Sequence, residues 1–474
     1  MISVNALPDD VLIAIFDQYV NGDARIPINW VMEWQPLVHV CRRWRSIVFG
    51  SPRHLKLQLV CTKRTRARDM LDVWPALPLA IWYNPGYDRI RGADDRIGGV
   101  DNIIAALERK ERVCHIALLE VQSLGIYLEA LQQPFPELTY LSLHCTGMVP
   151  VIPDSFLGGS APRLEYFRLD GIPFLGLPNL LLSATHLVGL HLFNIPHSGY
   201  ISPEAMVTAL SSLSSLQRLT LEFQSPRSCP GQATRRLPPS TRSILLALTY
   251  FQFKGVSEYL EDLVARIDAP LLNILRITFF NDTAFDIPVF MQFISRTPMS
   301  RALEKAYIIL WNRDASLHFS SQTSDNGTLY VKVLCRGLEW QVSSLEQFCT
   351  SCLPSLSMLE DLYIYDEPHS QPDWKDDIES GLWLQLLHPF TAVKNLYLSE
   401  KFALRIGPAL QELVEGRTTE VLPALQIIFL ERLESSGPVQ EGIEKFVAAR
   451  QVTSRPIAVS SWANSYRDKH SGYY

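Results

Sequence analysis

One short pattern governs most of this chain: an apolar residue, two others, an apolar residue, one other, and a third apolar residue. It stands at Leu138/Leu141/Leu143, Leu164/Phe167/Leu169, Leu187/Leu190/Leu192, Leu216/Leu219/Leu221, Leu272/Leu275/Ile277, Leu359/Leu362/Ile364, Val393/Leu396/Leu398 and Leu425/Ile428/Leu430. Val113/Ile116/Leu118 and Leu248/Phe251/Phe253 are weaker members. In each unit the last two apolar positions are separated by one residue, and a period of two places them on one face of a strand. Helical stripes lie between the units, clearest at Val256, Tyr259, Leu260, Leu263, Val264 and Ile267, and at Met206, Val207, Leu210 and Leu213 behind Ser202-Pro203. A chain that repeats one strand and one helix cannot close a core within a single unit, so it must stack them.

This layout resembles that of leucine-rich repeats. The expected fold is α/β: an irregular leucine-rich-repeat-like solenoid with a curved parallel sheet on one face and helices on the other, preferred to a closed barrel or a doubly wound sheet because of the number of units. A Pro-x-Leu entry at Pro136/Leu138, Pro162/Leu164, Pro270/Leu272 and Pro423/Leu425 sets the helix-to-strand corner, since proline cannot continue a helix and biases its predecessor toward extended geometry. The resemblance stops at the layout. Spacings run roughly 23 to 34 residues, often beyond the usual range, and Thr146, Ile172, Ile195 and Gln224 stand where asparagine or cysteine would close the motif. Residues 312–340 read as an insertion, a β-ribbon at one edge, with Asp325-Asn326-Gly327 as a hairpin turn. A helix from Glu441 to Ala449 and a strand within 456–462 would close the array.

The first fifty residues are different. Leu7-Pro8-Asp9-Asp10 opens a helix, with proline where no hydrogen bond is lost and aspartates against the positive end of the helix dipole. Val11, Leu12, Ile15, Phe16 and Tyr19 form one apolar stripe, and Leu37, Val40, Cys41, Trp44 and Ile47 form a second before Gly50-Ser51-Pro52. Two short amphipathic helices have too little volume for a self-sufficient core, so surplus apolar surface is expected to meet a partner. Leu7-Pro8-Asp9-Asp10 with its helix, followed by Val40-Cys41-Arg42-Arg43-Trp44-Arg45, resembles an F-box. The resemblance covers about a tenth of the chain. It implies docking to a Skp-type adaptor and through it to a cullin, with Leu7 and Pro8 at the contact. Val11, Leu12, Ile15, Phe16, Leu37, Val40 and Trp44 would be divided between contact and internal packing. The linker holding Trp30 and Trp34 is longer than in compact members. The organisation expected is an F-box at 1–52, a connecting segment with irregular first repeats at 53–112, the solenoid at 113–450, and a cap and tail at 451–474.

Composition narrows the function. The 474 residues are 47% hydrophobic and 19% charged with a formal net charge of -6, so a large core is available and no positive field exists to neutralise a phosphate backbone. Nucleic acid is not an expected partner, nor is a membrane, because no segment reaches the length of an apolar span and the start lacks a basic signal region. Eight cysteines without dense spacing suit a reducing compartment, cytoplasmic or nuclear. Cys349 and Cys352 fall on an apolar helical stripe and read as core, while Cys114-His115 and His144-Cys145 are strand neighbours that point to opposite faces and make poor metal co-ligands. No phosphate loop, nucleophile elbow or zinc helix motif is present, and neither catalytic residues nor a cofactor or metal are expected.

If the strands line one open face, the residues between the buried ones form the target surface. The candidates are Tyr140, His144, Tyr166, Arg168, His191, Arg218, Arg276, Tyr363, Tyr365, Tyr397 and Phe429, because tyrosine and arginine combine contact area with a polar handle. The function expected is a non-catalytic substrate-recognition subunit of an SCF-type ubiquitin ligase. The rival readings are a protein-binding scaffold or inhibitor outside ubiquitin transfer, and an enzyme whose site forms only in three dimensions.

Overall fold

A computed structural model describes residues 7–21, 34–63, 67–85, 99–148, 150–228, 241–280, 287–301, 303–320, 328–335, 337–352, 356–366, 378–413, 420–431, 438–452 and 455–462. Trp30, the turn Asp325-Asn326-Gly327 and the side chain of Cys352 lie outside them. The fold is mixed α/β with mostly parallel strand pairing. It falls into two compact units, one comprising 1–201 and 208–216, the other 202–207 and 217–474. Among the described residues no helix is long and apolar enough to cross a membrane.

In the first unit, β1 (Leu59–Cys61), β2 (Leu79–Tyr83), β3 (Val113–Ser123), β4 (Tyr140–Met148), β5 (Tyr166–Asp170) and β6 (Gly189–Ile195) pair in chain order, every pair parallel. The connecting segment thus contributes β1 and β2 to the same sheet. In the second unit the strands are β7 (Arg218–Phe223), β8 (Ser243–Ile244), β9 (Tyr250–Gly255), β10 (Ile267–Asp268), β11 (Ile274–Phe280), β12 (Lys305–Leu310), β13 (Ala315–Ser320), β14 (Thr328–Leu334), β15 (Asp361–Asp366), β16 (Asn395–Leu398), β17 (Ile427–Leu430) and β18 (Ala458–Ser461). Their order is β7-β9-β11-β14-β13-β12-β15-β16-β17-β18, with β8 and β10 as a separate parallel pair.

Each apolar triplet lands in the same way. Its second and third members are buried strand residues and its first sits just before the strand, except Val113, which opens β3. The N–H of that first residue closes a tight turn onto a carbonyl three residues back, as in Leu138 to Phe135 (3.2 Å), Leu187 to Ala184 (3.0 Å), Leu272 to Ala269 (3.2 Å) and Leu425 to Leu422 (3.1 Å). The strand then begins with two successive N–H groups donating to one carbonyl of the preceding unit. Val188 and Gly189 share Glu165 O, Asn273 and Ile274 share Thr249 O, and Gln426 and Ile427 share Lys394 O. The leucine buries apolar area while the turn satisfies its backbone, which explains why the spacing within a unit is invariant while the loops between units vary. The last helix spans Pro438–Val452, and β18 pairs parallel with β17.

Two expectations are corrected here. Residues 312–340 are not a ribbon at an edge: β12, β13 and β14 lie between β11 and β15 in the interior of the second unit's sheet. Nor is the sheet wholly parallel, since β13 is antiparallel to both β12 and β14. Two reversals return β14 to the direction of β11, so it pairs parallel with β11 while β12 pairs parallel with β15. Leu317, Phe319, Leu329, Val331 and Val333 are all fully buried, so the hairpins add apolar burial to the core while continuing the sheet.

Glycine is demanded at one close approach. Gly147 in β4 packs beside β3 where the register slips near Glu120, which has a left-handed φ of 51°. A Cβ at Gly147 would lie 2.0 Å from Gln122 O. Gly147→Ala is expected to cost about 2 kcal/mol through forced backbone separation, read as a lowered denaturation midpoint of the first unit.

Candidate binding surfaces

Among the described residues the N-terminal module has three helices, α1 (Asp9–Asn21), α2 (Gln35–Val40) and α3 (Arg42–Gly50). The second apolar stripe is therefore not one helix. Cys41 breaks it with extended backbone (φ -158°, ψ 170°), and its Sγ accepts from Trp44 N at 3.5 Å as the cap of α3. Arg45 Nε donates to Val38 O at 2.9 Å across the corner. Arg43 braces α3 against the start of α1, donating to Leu7 O (2.5 Å) and to Asp9 Oδ1 (2.6 Å).

Packing sorts the adaptor candidates. Leu12, Phe16 and Leu37 are buried inside the module, and Trp44, partly exposed, meets Phe16 ring to ring at 4.8 Å. Those three buried residues are core and not contact surface, because a stripe wide enough for five apolar residues has an inner and an outer half. The outer half holds Val11, Ile15 and Tyr19, exposed by 39%, 48% and 54%, with Val40 on α2 exposed by 59%. The three on α1 follow one another at four-residue intervals on one helix face. Leu7 is half-buried and Pro8 exposed at the head of the same helix. Trp34 is buried, edge-on to Trp74 (5.4 Å) and Phe49 (5.8 Å), with Nε1 donating to Gln58 O at 2.9 Å.

No protein-family model matches this chain, and no curated protein does.

The target candidates lie on the strand face opposite the buried leucines, where the structure gathers most of them into rows. In the first unit, register aligns His115, Tyr140, Tyr166 and Gly189. His115 stacks on Tyr140 at 3.9 Å, Tyr140 on Tyr166 at 4.5 Å, and His191 leans onto Tyr166 at 4.9 Å. His191 reaches back because Gly189 carries no side chain; a Cβ there would lie 3.1 Å from both His191 Nε2 and the Tyr166 ring. Arg168 is spent within the protein, paired with Asp170 at 3.0 Å and set over Phe193 at 4.6 Å, while His144 is half-buried on β4.

In the second unit one row crosses Tyr330, His318, Tyr307, Tyr363, Tyr397 and Phe429 on six adjacent strands. The stacked part runs Tyr307 to Tyr363 (4.6 Å), Tyr363 to Tyr397 (4.1 Å) and Tyr397 to Phe429 (4.4 Å), with Trp462 edge-on to Tyr363 (5.8 Å) and Tyr397 (5.4 Å). Each stacked pair adds about 1 kcal/mol beyond area burial. Arg276 extends the row next to Tyr330, and Arg218 is exposed on β7. Tyr365 is only 5% exposed and so belongs to the core of the free protein, a correction to its place among the target residues. Sequence reasoning missed His115, Tyr307, His318, Tyr330 and Trp462, of which His115 and Tyr307, 8% and 4% exposed, are buried like Tyr365 and serve the stack rather than the open surface. The signal was present, since each of the first four is an outward aromatic or histidine in an alternating strand.

Burial governs titration at these surfaces. It pushes the thiols of Cys61, Cys114 and Cys335 up to about 12, 11 and 11, which removes them as nucleophiles at neutral pH. Cys349 is also buried. Tyr140 rises to about 12 through burial and the neighbouring Tyr166. Among the described residues, no three His, Cys, Asp or Glu side chains are grouped to hold a metal ion.

His115, 8% exposed, is held down to about 3 by burial. Below the ordinary value of 6.5 the unfolded chain takes up a proton that the folded one refuses, so this stabilisation is complete above pH 6.5 and declines toward pH 3, by about 2 kcal/mol at pH 5. His115→Phe keeps a ring against Tyr140 and is expected to flatten the fall in stability between pH 6.5 and 4, as measured by urea unfolding of the first unit.

Proposed function

We propose that this chain is the substrate-recognition subunit of an SCF-type ubiquitin ligase, with residues 1–52 binding a Skp-type adaptor and the aromatic strand face binding a protein target. The observation that carries the reading is the divided stripe of α1. Leu12 and Phe16 close the module's interior, while Val11, Ile15 and Tyr19, joined by Val40, present an apolar surface outside it. A module this small gains little by exposing such residues unless a partner covers them. The resemblance of Leu7-Pro8-Asp9-Asp10 and Val40-Cys41-Arg42-Arg43-Trp44-Arg45 to an F-box names that partner. The ligase chemistry then belongs to other subunits, and this chain supplies proximity between target and ubiquitin carrier.

One observation favours a second reading. The Trp34, Phe49 and Trp74 cluster fastens the helical module to the segment behind it, as a terminal cap would be fastened in a scaffold or inhibitor that takes no part in ubiquitin transfer. Mixing the purified full chain with a purified Skp-type adaptor separates the two. Co-elution in size-exclusion chromatography supports the ligase subunit, and separate elution of a folded chain selects the scaffold.

A further inference from the structure

The strand face of the second unit changes character along the sheet. The strands from β12 to β17 carry the stacked aromatic row, whereas the outward positions of β7, β9, β11 and β14 hold four cations, Arg218, Lys254, Arg276 and Lys332, and one acid, Glu222. Lys332 is met by Asp314 at 3.1 Å. Arg218, Arg276 and Lys254 are in no ion pair with any described residue.

Register brings the two arginines together. Arg218 on β7 is the partner of Tyr250 on β9, and Arg276 on β11 is the partner of Gln252, two residues further along β9. Arg276 leans back across β9 until its guanidinium carbon stands 6.0 Å from the centre of the Tyr250 ring, which leaves roughly one strand spacing between it and Arg218. Burial raises the Tyr250 phenol, Arg276 lowers it, and Glu222 and Arg218 add smaller opposed effects, so one hydroxyl lies within reach of both arginine charges. Like charges side by side on a sheet repel. The Tyr250 hydroxyl already donates to Gln252 Oε1, so the complement of this pair is an anion that accepts from both guanidinium groups.

Lys254, four residues beyond Tyr250 on the same strand, is a second point of positive charge. Its register partner is Glu222, yet it turns the other way, with Nζ 5.8 Å from the centre of the Phe280 ring on β11. Glu222 instead accepts from Gln252 Nε2, between the two points. Four residues of strand span roughly 13 Å, too far for one carboxylate or one phosphate to serve both. An extended chain with acids at positions i and i+4 spans that distance, and Glu222 disfavours an acid at i+2, where the chain passes Gln252.

We propose that this part of the strand face binds an extended acidic peptide segment lying along β9, one carboxylate bridging Arg218 and Arg276 over Tyr250 and a second, four residues away, on Lys254. This rests on reading the strand face as the target surface and gives that target its chemistry.

The test is fluorescence anisotropy of labelled threonine-rich decapeptides with the full chain at low ionic strength, where exposed charges are least screened. One peptide carries two glutamates at i and i+4, one carries them at i and i+2, one has glutamines at i and i+4, and one bears a single phosphoserine. Labelled decathymidylate reports on a nucleic-acid strand. The i, i+4 glutamate peptide is expected to bind about 10-fold more tightly than any other probe. Arg276→Gln is expected to weaken it about 10-fold and Lys254→Gln about 5-fold. Arg53→Gln, at an exposed cation of the first unit, is expected to leave it unchanged, with thermal unfolding monitored for each variant. Equal or tighter binding of any other probe, undiminished binding by the folded Arg276 or Lys254 variant, or equal weakening by Arg53→Gln overturns the proposal. Adaptor co-elution is scored on the same preparation. Absence of acidic-peptide binding with the adaptor retained defeats this inference alone, whereas acidic-peptide binding without the adaptor defeats the ligase reading and leaves the basic site standing.

Discussion

Val11→Asp combined with Ile15→Asp is expected to abolish adaptor binding, a loss of about 4 kcal/mol or roughly 1,000-fold, while the chain stays folded. The size follows from treating each residue as a central interface contact worth about 2 kcal/mol. Foldedness follows from their exposure of 39% and 48% in the free chain, where aspartate meets water and displaces no packing. The contrast is Phe16→Ala, which removes a fully buried ring that lies 4.8 Å from Trp44 and would loosen the module itself. Surface plasmon resonance on immobilised adaptor, with circular dichroism of each variant, checks both. Unchanged binding by the folded double variant would remove the α1 face from the interface.

Periodicity identified the α1 stripe but not its division. Leu12 and Phe16 are neighbours of Val11 and Ile15 on the helix, and only the position of α3, braced by Arg43 on Leu7 and Asp9, decides which half turns inward. The break at Cys41 was hidden for a related reason: the apolar positions of α2 and α3 continue one helical phase across a residue whose backbone is extended. In the repeats the local signal was stronger. Each triplet specified its own strand and the buried face of that strand, because turn, burial and alternation act within a few residues.

Sheet order is a different kind of information. The segments Lys305–Leu310, Ala315–Ser320 and Thr328–Leu334 alternate as strands should, yet nothing local says whether a double hairpin sits at a margin or between β11 and β15. Once it sits between them, Tyr330, His318 and Tyr307 fall into register with Tyr363, and a row that the sequence scatters over about a hundred residues becomes continuous. Tyr365 shows the converse. It occupies an outward position by alternation and is nevertheless buried, since neighbouring structure and not the strand's own period determines what covers the end of a strand.

That row is the basis of the second large effect. Tyr363→Ser with Tyr397→Ser removes the two central rungs, leaving Phe429 and Trp462 without these ring partners and Tyr307 stacked on His318 alone. Target capture is expected to fall by about 4 kcal/mol, again roughly 1,000-fold, if each rung is a contact of about 2 kcal/mol. The second unit should also lose about 2 to 3 kcal/mol of stability from broken stacks. Tyr363→Phe with Tyr397→Phe separates these consequences: it restores the rings, so stability should return to within about 1 kcal/mol of wild type, but both hydroxyl groups stay absent and capture recovers only in part. The measurement is quantitative affinity purification of the wild type and both double variants, normalised to the adaptor recovered with each. Because the proposed adaptor surface lies on α1 and α2 in the other unit, adaptor recovery is expected to be identical in all three. Equal recovery of every other associated protein across the set would show that the aromatic row serves the sheet and no partner.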